Sequence, residues 1–156
     1  MKKTLVLGIG NDILTDDGIG PKLVNEIKSK STSADIDFLN VFLGGLDILE
    51  LIQGYEKVIF IDAIITQDGL PGTVYHFKPA DFKETLHLSN LHDANFLTAL
   101  ELGKKMGMQI PEDIHIIAIE IIEDRVFSDR FSPEIEKKMP GIFETVLNLV
   151  NSICPE

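Results

Sequence analysis

Basic residues, cysteine and long apolar runs are all scarce in this sequence. Lysine and arginine number 14 against 25 aspartates and glutamates, which gives a formal net charge of −11 at pH 7. Nucleic acids and anionic membranes are bound mainly through basic residues, so neither is an expected partner. No apolar run approaches the ~18 residues needed to cross a bilayer, so no membrane span is expected. The acidic balance favours cations as partners.

Cys154, third from the end, is the only cysteine. It excludes a disulfide within the chain, and a cysteine so placed is not expected to act as a nucleophile. The first seven residues imitate the beginning of a signal peptide, but their apolar run stops at Gly8 and no cleavage motif follows. The protein is therefore expected in the cytoplasm. Its length and its hydrophobic fraction of 44% predict one globular domain over residues 1–156.

Short β-branched runs alternate with segments of helical periodicity. This alternation predicts a three-layer α/β/α fold around a twisted, mostly parallel sheet. Val58–Ile61 is apolar on both faces, as central strands of parallel sheets are. Further strands are predicted at Leu5–Ile9, Asp37–Leu43, Gly72–Phe77 and Ile114–Ile122. Helices are predicted near 19–27, 46–53, 93–106 and 132–150, the last with a break at Pro140.

The loop after the first predicted strand, Gly8–Pro21, combines glycines with an acidic pair. Parallel sheets place their ligands in loops of this kind, at the carboxyl ends of the strands. Ile13 stands where a dinucleotide-binding loop has its third glycine, and a Gly-Lys-Ser/Thr phosphate loop is absent. The glycines are therefore predicted to form tight turns. Asp16 and Asp17 either cap the following helix or act as functional carboxylates.

Asp62 directly follows the apolar run Val58–Ile61 and is expected at the mouth of the sheet. A buried, ionised carboxylate needs a cation or hydrogen-bond donors beside it. Asp62 is therefore either a turn or cap residue or a functional carboxylate.

Four histidines compete for a functional role. His92 stands just before the helix predicted near 93–106, and His87 is its rival, whereas His76 and His115 fall in predicted strands and are expected to be structural. Two carboxylates and one imidazole can converge from separate loops as an open metal site with positions left for water or substrate. No Gly-x-Ser-x-Gly motif supports a serine nucleophile. The same residues can also form a non-catalytic arrangement.

A series of short motifs runs through nearly the whole chain. The motifs are Gly8-Ile9-Gly10-Asn11, Leu14-Thr15-Asp16-Asp17-Gly18-Ile19-Gly20, Gly44-Gly45, Asp62-Ala63, Pro71-Gly72-Thr73, His92-Asp93 and Ser132-Pro133-Glu134. In these motifs and their order the sequence resembles the hydrogenase maturation proteases, endopeptidases that trim the C-terminus of the large subunit of nickel-iron hydrogenases. The fold implied is a phosphorylase/hydrolase-like α/β domain.

The resemblance also implies roles for particular residues. Asp17, Asp62 and His92 correspond to the family's metal-binding residues, with His87 as the alternative histidine. Asp16 is a candidate for a supporting hydrogen bond or a base role. Gly44-Gly45 would let the substrate backbone approach closely, because neither glycine carries a side chain.

The nickel would be bound in the precursor and serve as the recognition element, so the site in the isolated protein is expected to be empty or to hold another divalent metal. The implied partner is a nickel-iron hydrogenase large-subunit precursor, and the protein is expected to act as a monomer. The chain departs from the family pattern at one place, because many members have aspartate before the Gly-Gly pair whereas this chain has Phe42-Leu43. The difference would affect how the substrate is handled. The alternatives are another metallo-hydrolase on the same scaffold and a non-catalytic metal-delivery or chaperone protein.

Overall fold

A computed structural model describes residues 4–42, 48–81, 85–88 and 96–155. Within these ranges one sheet contains β1 (Thr4–Ile9), β2 (Ile36–Val41), β3 (Lys57–Ile64), β4 (Val74–Phe77) and β5 (Asp113–Glu120). The strand order is β2-β1-β3-β5-β4. Four strands are parallel, and β4 runs antiparallel to β5 at the edge. The predicted mostly parallel sheet is confirmed.

Helices cover both faces of the sheet and make the three predicted layers. They are α1 (Ile19–Lys30), α2 (Ile48–Ile52), α3 (Phe96–Lys105) and α4 (Pro133–Ile153). Consecutive residues of β3 face opposite sides of the sheet. Phe60 packs with α2 and α3 on one side, whereas Ile59 packs with α1 and α4 on the other. Burying such a side chain contributes about 1.5–3 kcal/mol, so the sheet is stabilised from both sides.

The predicted break at Pro140 is wrong, because α4 runs through this residue without interruption. Proline removes the hydrogen bond to the carbonyl four positions earlier, here that of Glu136. Both Pro140 and Glu136 are exposed, so water can bind the freed carbonyl. The buried positions of the same helix, among them Ile135 and Val146, keep it packed on the sheet.

Three strands end at residues other than the predicted ones. β2 ends at Val41, and β5 ends at Glu120 rather than Ile122. β3 continues three residues beyond Ile61, to Ile64. The extension matters for function because it places Asp62 inside the strand. None of the helices in the described ranges has the length and apolar content of a membrane span.

Candidate active site

The carboxyl edge of the sheet opens where β1 stops and β3 continues. The last β1–β3 pair is Gly8 with Ile61, and beyond it β3 pairs only with β5. Asp62 is the first residue past that point and is fully buried, at 0% exposure. The expectation that Asp62 follows the strand is therefore wrong, because the strand contains it.

The loop between β1 and α1 brings Asp17 to this edge. Gly10 has φ of +149°, and a Cβ there would lie 2.0 Å from the carbonyl oxygen of Asp17, so a side chain has no room. One turn of 3-10 helix over Thr15–Gly18 carries the acidic pair. The backbone N–H of Asn11 donates to Oδ2 of Asp17 at 2.8 Å, which fixes that carboxylate.

His87 joins Asp17 to Asp62. Its Nδ1 lies 2.6 Å from Oδ1 of Asp62, and its Nε2 lies 3.2 Å from Oδ1 of Asp17. The backbone N–H of His87 donates to Oδ2 of Asp62 at 3.0 Å, so the segment 85–88 is held against β3. A further bond, from Leu86 N–H to the carbonyl of Ala63, ties the same segment to the strand. Residues distant in sequence thus form one polar cluster.

The electrostatics of the cluster favour a protonated imidazole. Burial alone lowers the pKa of His87, but hydrogen bonds to Asp17 and Asp62 and their negative charges outweigh it and raise the pKa from 6.5 to about 10. A protonated imidazole has no free lone pair, so His87 has to release a proton before its ring can bind a metal ion.

Two of the sequence-predicted sites cannot be placed. His92 and the pair Gly44-Gly45 lie outside the described residues. In the part of the chain that the structure describes, no three histidine, cysteine or carboxylate side chains are spaced to enclose a metal ion. Asp17, Asp62 and His87 instead bond directly to one another. Their two oxygens and one imidazole nitrogen are nevertheless donor types that divalent nickel or zinc accepts.

Asp16 has a different environment from its neighbour Asp17. It is fully buried, and its Oδ2 accepts hydrogen bonds from the backbone N–H groups of Ile122 and Glu123 and from the hydroxyl of Ser132. Its Oδ1 accepts the backbone N–H of Ser132 at 2.8 Å. Four donors occupy this carboxylate, so it anchors the loop between β5 and α4 beside the site. Of the two roles considered for Asp16, this geometry favours the supporting hydrogen bond.

Thr15 shows that the acidic pair is held in a strained loop. Its φ of +54° is the only positive value at a non-glycine position in the described residues. A β-branched residue in this region costs about 1–3 kcal/mol, and such strain is often found at functional sites. Hydrogen bonds from Thr15 to the carbonyls of Val126 and Ser128 offset the cost.

Glu120, the last residue of β5, is a buried carboxylate that the sequence reasoning missed. It is 1% exposed and accepts hydrogen bonds from Thr66 N–H at 2.8 Å and the Tyr75 hydroxyl at 3.0 Å. These bonds fix the segment between β3 and β4 next to the site. A charge that ends an apolar strand was the available signal, the same one that singled out Asp62.

His76 and His115 lie elsewhere, as predicted. His76 is on the edge strand β4 and His115 on β5, where His76 Nε2 contacts His115 Nδ1 at 2.8 Å. Cys154 caps the end of α4 and lines a cavity of about 1070 Å³ where the parallel strands begin. Neither group belongs to the Asp17–Asp62–His87 cluster.

Fold and site together define an α/β enzyme whose polar groups meet at the carboxyl edge of a parallel sheet. A family model for hydrogenase maturation proteases matches residues 21–149. The chain therefore belongs to the hydrogenase maturation protease family, and its activity is that of a maturation endopeptidase. Both the recognised family and the hydrolytic activity are confirmed.

Individual relatives agree with this assignment. The hydrogenase 2 maturation protease of Escherichia coli (strain K12) is 28% identical over 156 residues, covering 92% of each chain. The solved structure of the hydrogenase maturating endopeptidase HybD from E. coli has a TM-score of 0.75 at 22% identity, covering 96% of this chain and 93% of that one. A hydrogenase 2 maturation peptidase from Thaumarchaeota archaeon SCGC_AB-539-E09 has a TM-score of 0.69 at 24% identity, with 99% of both chains covered. These structures share the fold.

Proposed function

We propose that this chain removes the C-terminal peptide from the large-subunit precursor of a nickel-iron hydrogenase, and that it recognises the precursor through the nickel already inserted. The observation that carries the proposal is the contact of His87 with both Asp17 and Asp62. Two carboxylates and one imidazole thereby meet at the edge of the sheet where substrates of α/β enzymes bind, and nickel would displace the proton that the imidazole shares with the carboxylates. Family membership supports the hydrolysis, and the names of the relatives support a hydrogenase as the source of the substrate.

The donor set explains why the nickel would come with the precursor. Two carboxylates and one imidazole make an incomplete shell, and softer ligands such as thiolates can fill the remaining positions. Cys154 lies at the far end of α4, so any thiolate ligand has to come from the substrate. We therefore expect the purified protein to bind nickel weakly, or to hold another divalent metal in its place.

Each residue of the cluster has a distinct task in this proposal. Asp62 bonds both the ring and the backbone of His87 and so fixes the direction of the imidazole. Asn11 holds one oxygen of Asp17 and leaves the other directed at His87. Nickel bound in the precursor would supply Lewis acidity, which would polarise the scissile carbonyl or activate a water. Gly44-Gly45 would let the substrate backbone approach.

His87 takes the place that the sequence resemblance gave to His92. We choose His87 because its ring contacts both of the carboxylates that the resemblance implies as ligands. We further propose that the protein acts as a monomer in the cytoplasm.

The test is cleavage of purified large-subunit precursors, read by intact-protein mass spectrometry. The wild-type chain and an Asp12→Asn variant, changed at an exposed position of the same loop, should both release one C-terminal peptide. An Asp17→Asn variant should release none at equal folded concentration. Equal cleavage by Asp17→Asn would contradict the assignment of the site, and no cleavage by the wild type of any nickel-loaded precursor would contradict the proposed substrate.

A further inference from the structure

Four apolar side chains are exposed around one rim of the site. They are 51% exposed at Ile13, 45% at Ile122, 55% at Val126 and 78% at Phe127. All four belong to the two loops that follow β1 and β5, at the carboxyl edge of the sheet. Scattered exposed apolar residues are ordinary, but a group beside an active site is typical of an interaction surface. We call these four residues the apolar ledge.

The two loops of the ledge are bonded into one unit. Leu14 forms an isolated parallel bridge with Ser128, and Ser128 N–H donates to the carbonyl of Ile13 at 3.0 Å. Thr15 N–H in turn donates to the carbonyl of Ser128 at 3.0 Å. This short ladder holds the segments that carry Ile13 and Phe127 side by side at the edge of the site.

The ledge is also continuous with the site. Asp16 accepts the backbone N–H groups of Ile122 and Glu123, and the next residue along the chain, Asp17, contacts His87. The Thr15 hydroxyl donates to the carbonyl of Val126. A peptide bound at Asp17 therefore extends over the ledge if it leaves the site on this side. A preformed surface of this kind orders the substrate at little entropic cost to the enzyme.

We infer that the apolar ledge is the docking surface for the segment of the hydrogenase precursor that flanks the scissile bond, and that this segment has apolar side chains. The inference rests on the proposed function. An apolar occupant is favoured over an acidic one because the chain has a formal net charge of −11, which would repel further negative charge. Exposed valine, isoleucine and phenylalanine gain most by burial against matching apolar groups.

The test compares one double variant and one single variant of the ledge with a matched control. Val126→Ser/Phe127→Ser and, separately, Ile13→Ser remove apolar surface from the two segments. Met106→Ser is the control, because Met106 is 71% exposed in the connection between α3 and β5, away from the carboxyl edge. Cleavage of a nickel-loaded precursor is measured across precursor concentrations, with direct binding of the same precursor measured in parallel.

The ledge variants should raise KM and weaken binding by about tenfold or more while kcat changes by less than about twofold. Met106→Ser should match the wild type in both. Unchanged KM and binding in both ledge variants would overturn the inference while leaving the proposed function intact. A wild type that binds the precursor through the ledge without cleaving it would support docking and contradict the proposed function. A wild type that does neither would overturn both.

Discussion

Nδ1 of His87 lies 2.6 Å from Oδ1 of Asp62, although 25 residues separate them in the chain. The backbone N–H of His87 donates to the second oxygen of the same carboxylate at 3.0 Å. Two hydrogen bonds to one carboxylate fix the position of His87 and the direction of its ring. The other ring nitrogen is directed at Asp17, so the Asp62–His87 pair determines the geometry of the whole cluster.

Asp62→Asn should lower the rate of precursor cleavage by about 100-fold or more. The amide cannot replace a carboxylate as a metal ligand or as the partner of a protonated imidazole. Asparagine has the same shape, so the free energy of unfolding should fall by no more than about 2 kcal/mol. Cleavage by mass spectrometry and unfolding in urea measure the two effects. A variant that unfolds more readily yet cleaves at the wild-type rate would make Asp62 purely structural.

His87→Gln should abolish precursor cleavage while leaving the far-ultraviolet circular dichroism unchanged, because only His87 contacts both carboxylates among the described histidines. His76→Gln, on the edge strand, is the matched control and should cleave normally. His92→Gln decides between the two candidates for the third ligand. Loss of cleavage in His92→Gln together with normal cleavage in His87→Gln would return the role to His92.

Asp16→Ala should lower the free energy of unfolding by about 3 kcal/mol, since it leaves several buried donors without an acceptor. Ile122, Glu123 and Ser132 supply those donors. Asp17→Ala should lose activity with a smaller change in stability, because among the described residues Asn11 is the one backbone donor to Asp17. Urea denaturation of both variants makes the comparison. Full stability with lost cleavage in Asp16→Ala would instead indicate a direct role in the chemistry.

Most of the fold follows from patterns that are local in sequence. β3 could be predicted because Val58–Ile61 is apolar on both faces, and α1 because its apolar residues recur at helical spacing. The end of β3 could not, because Asp62 remains in the strand only where β5 continues beside it. The continuity of α4 through Pro140 likewise depends on packing against the sheet, which outweighs a local preference.

The candidate site was predictable in part. Asp62 stands out because a carboxylate after an apolar strand needs partners, and Asp17 because it belongs to an acidic pair in the loop after β1 and matches a family motif. The structure gives them a common partner, His87. His87 lies in a short segment without periodicity, and its position is set by bonds to Asp62 and Ala63 that no local pattern encodes. The four-donor environment of Asp16 depends on a loop more than 100 residues further along the chain, as the separation of 116 positions to Ser132 shows.

Acid should destabilise the protein partly through His115. Burial and the charges of Lys78 and His76 lower the pKa of His115 below 6.5, although the carboxylate of Asp113 opposes them. As the pH is lowered through 6.5, the unfolded chain therefore takes up a proton on His115 before the folded chain does. The free energy of unfolding decreases as the pH decreases. His115→Gln should lose less stability than the wild type between pH 7 and pH 5, measured by urea unfolding. Equal losses in the two proteins would contradict this origin.

We propose above all that two carboxylates and a histidine of this chain recognise the nickel of the substrate. The most direct test of this proposal is to treat one metal-free preparation of the protein with the same precursor in nickel-loaded and nickel-free forms, and to measure the released peptide by mass spectrometry. We expect cleavage of the nickel-loaded form alone. Equal cleavage of both forms, or a stoichiometric zinc in the purified protein that is required for turnover, would contradict it and indicate a self-contained metalloprotease.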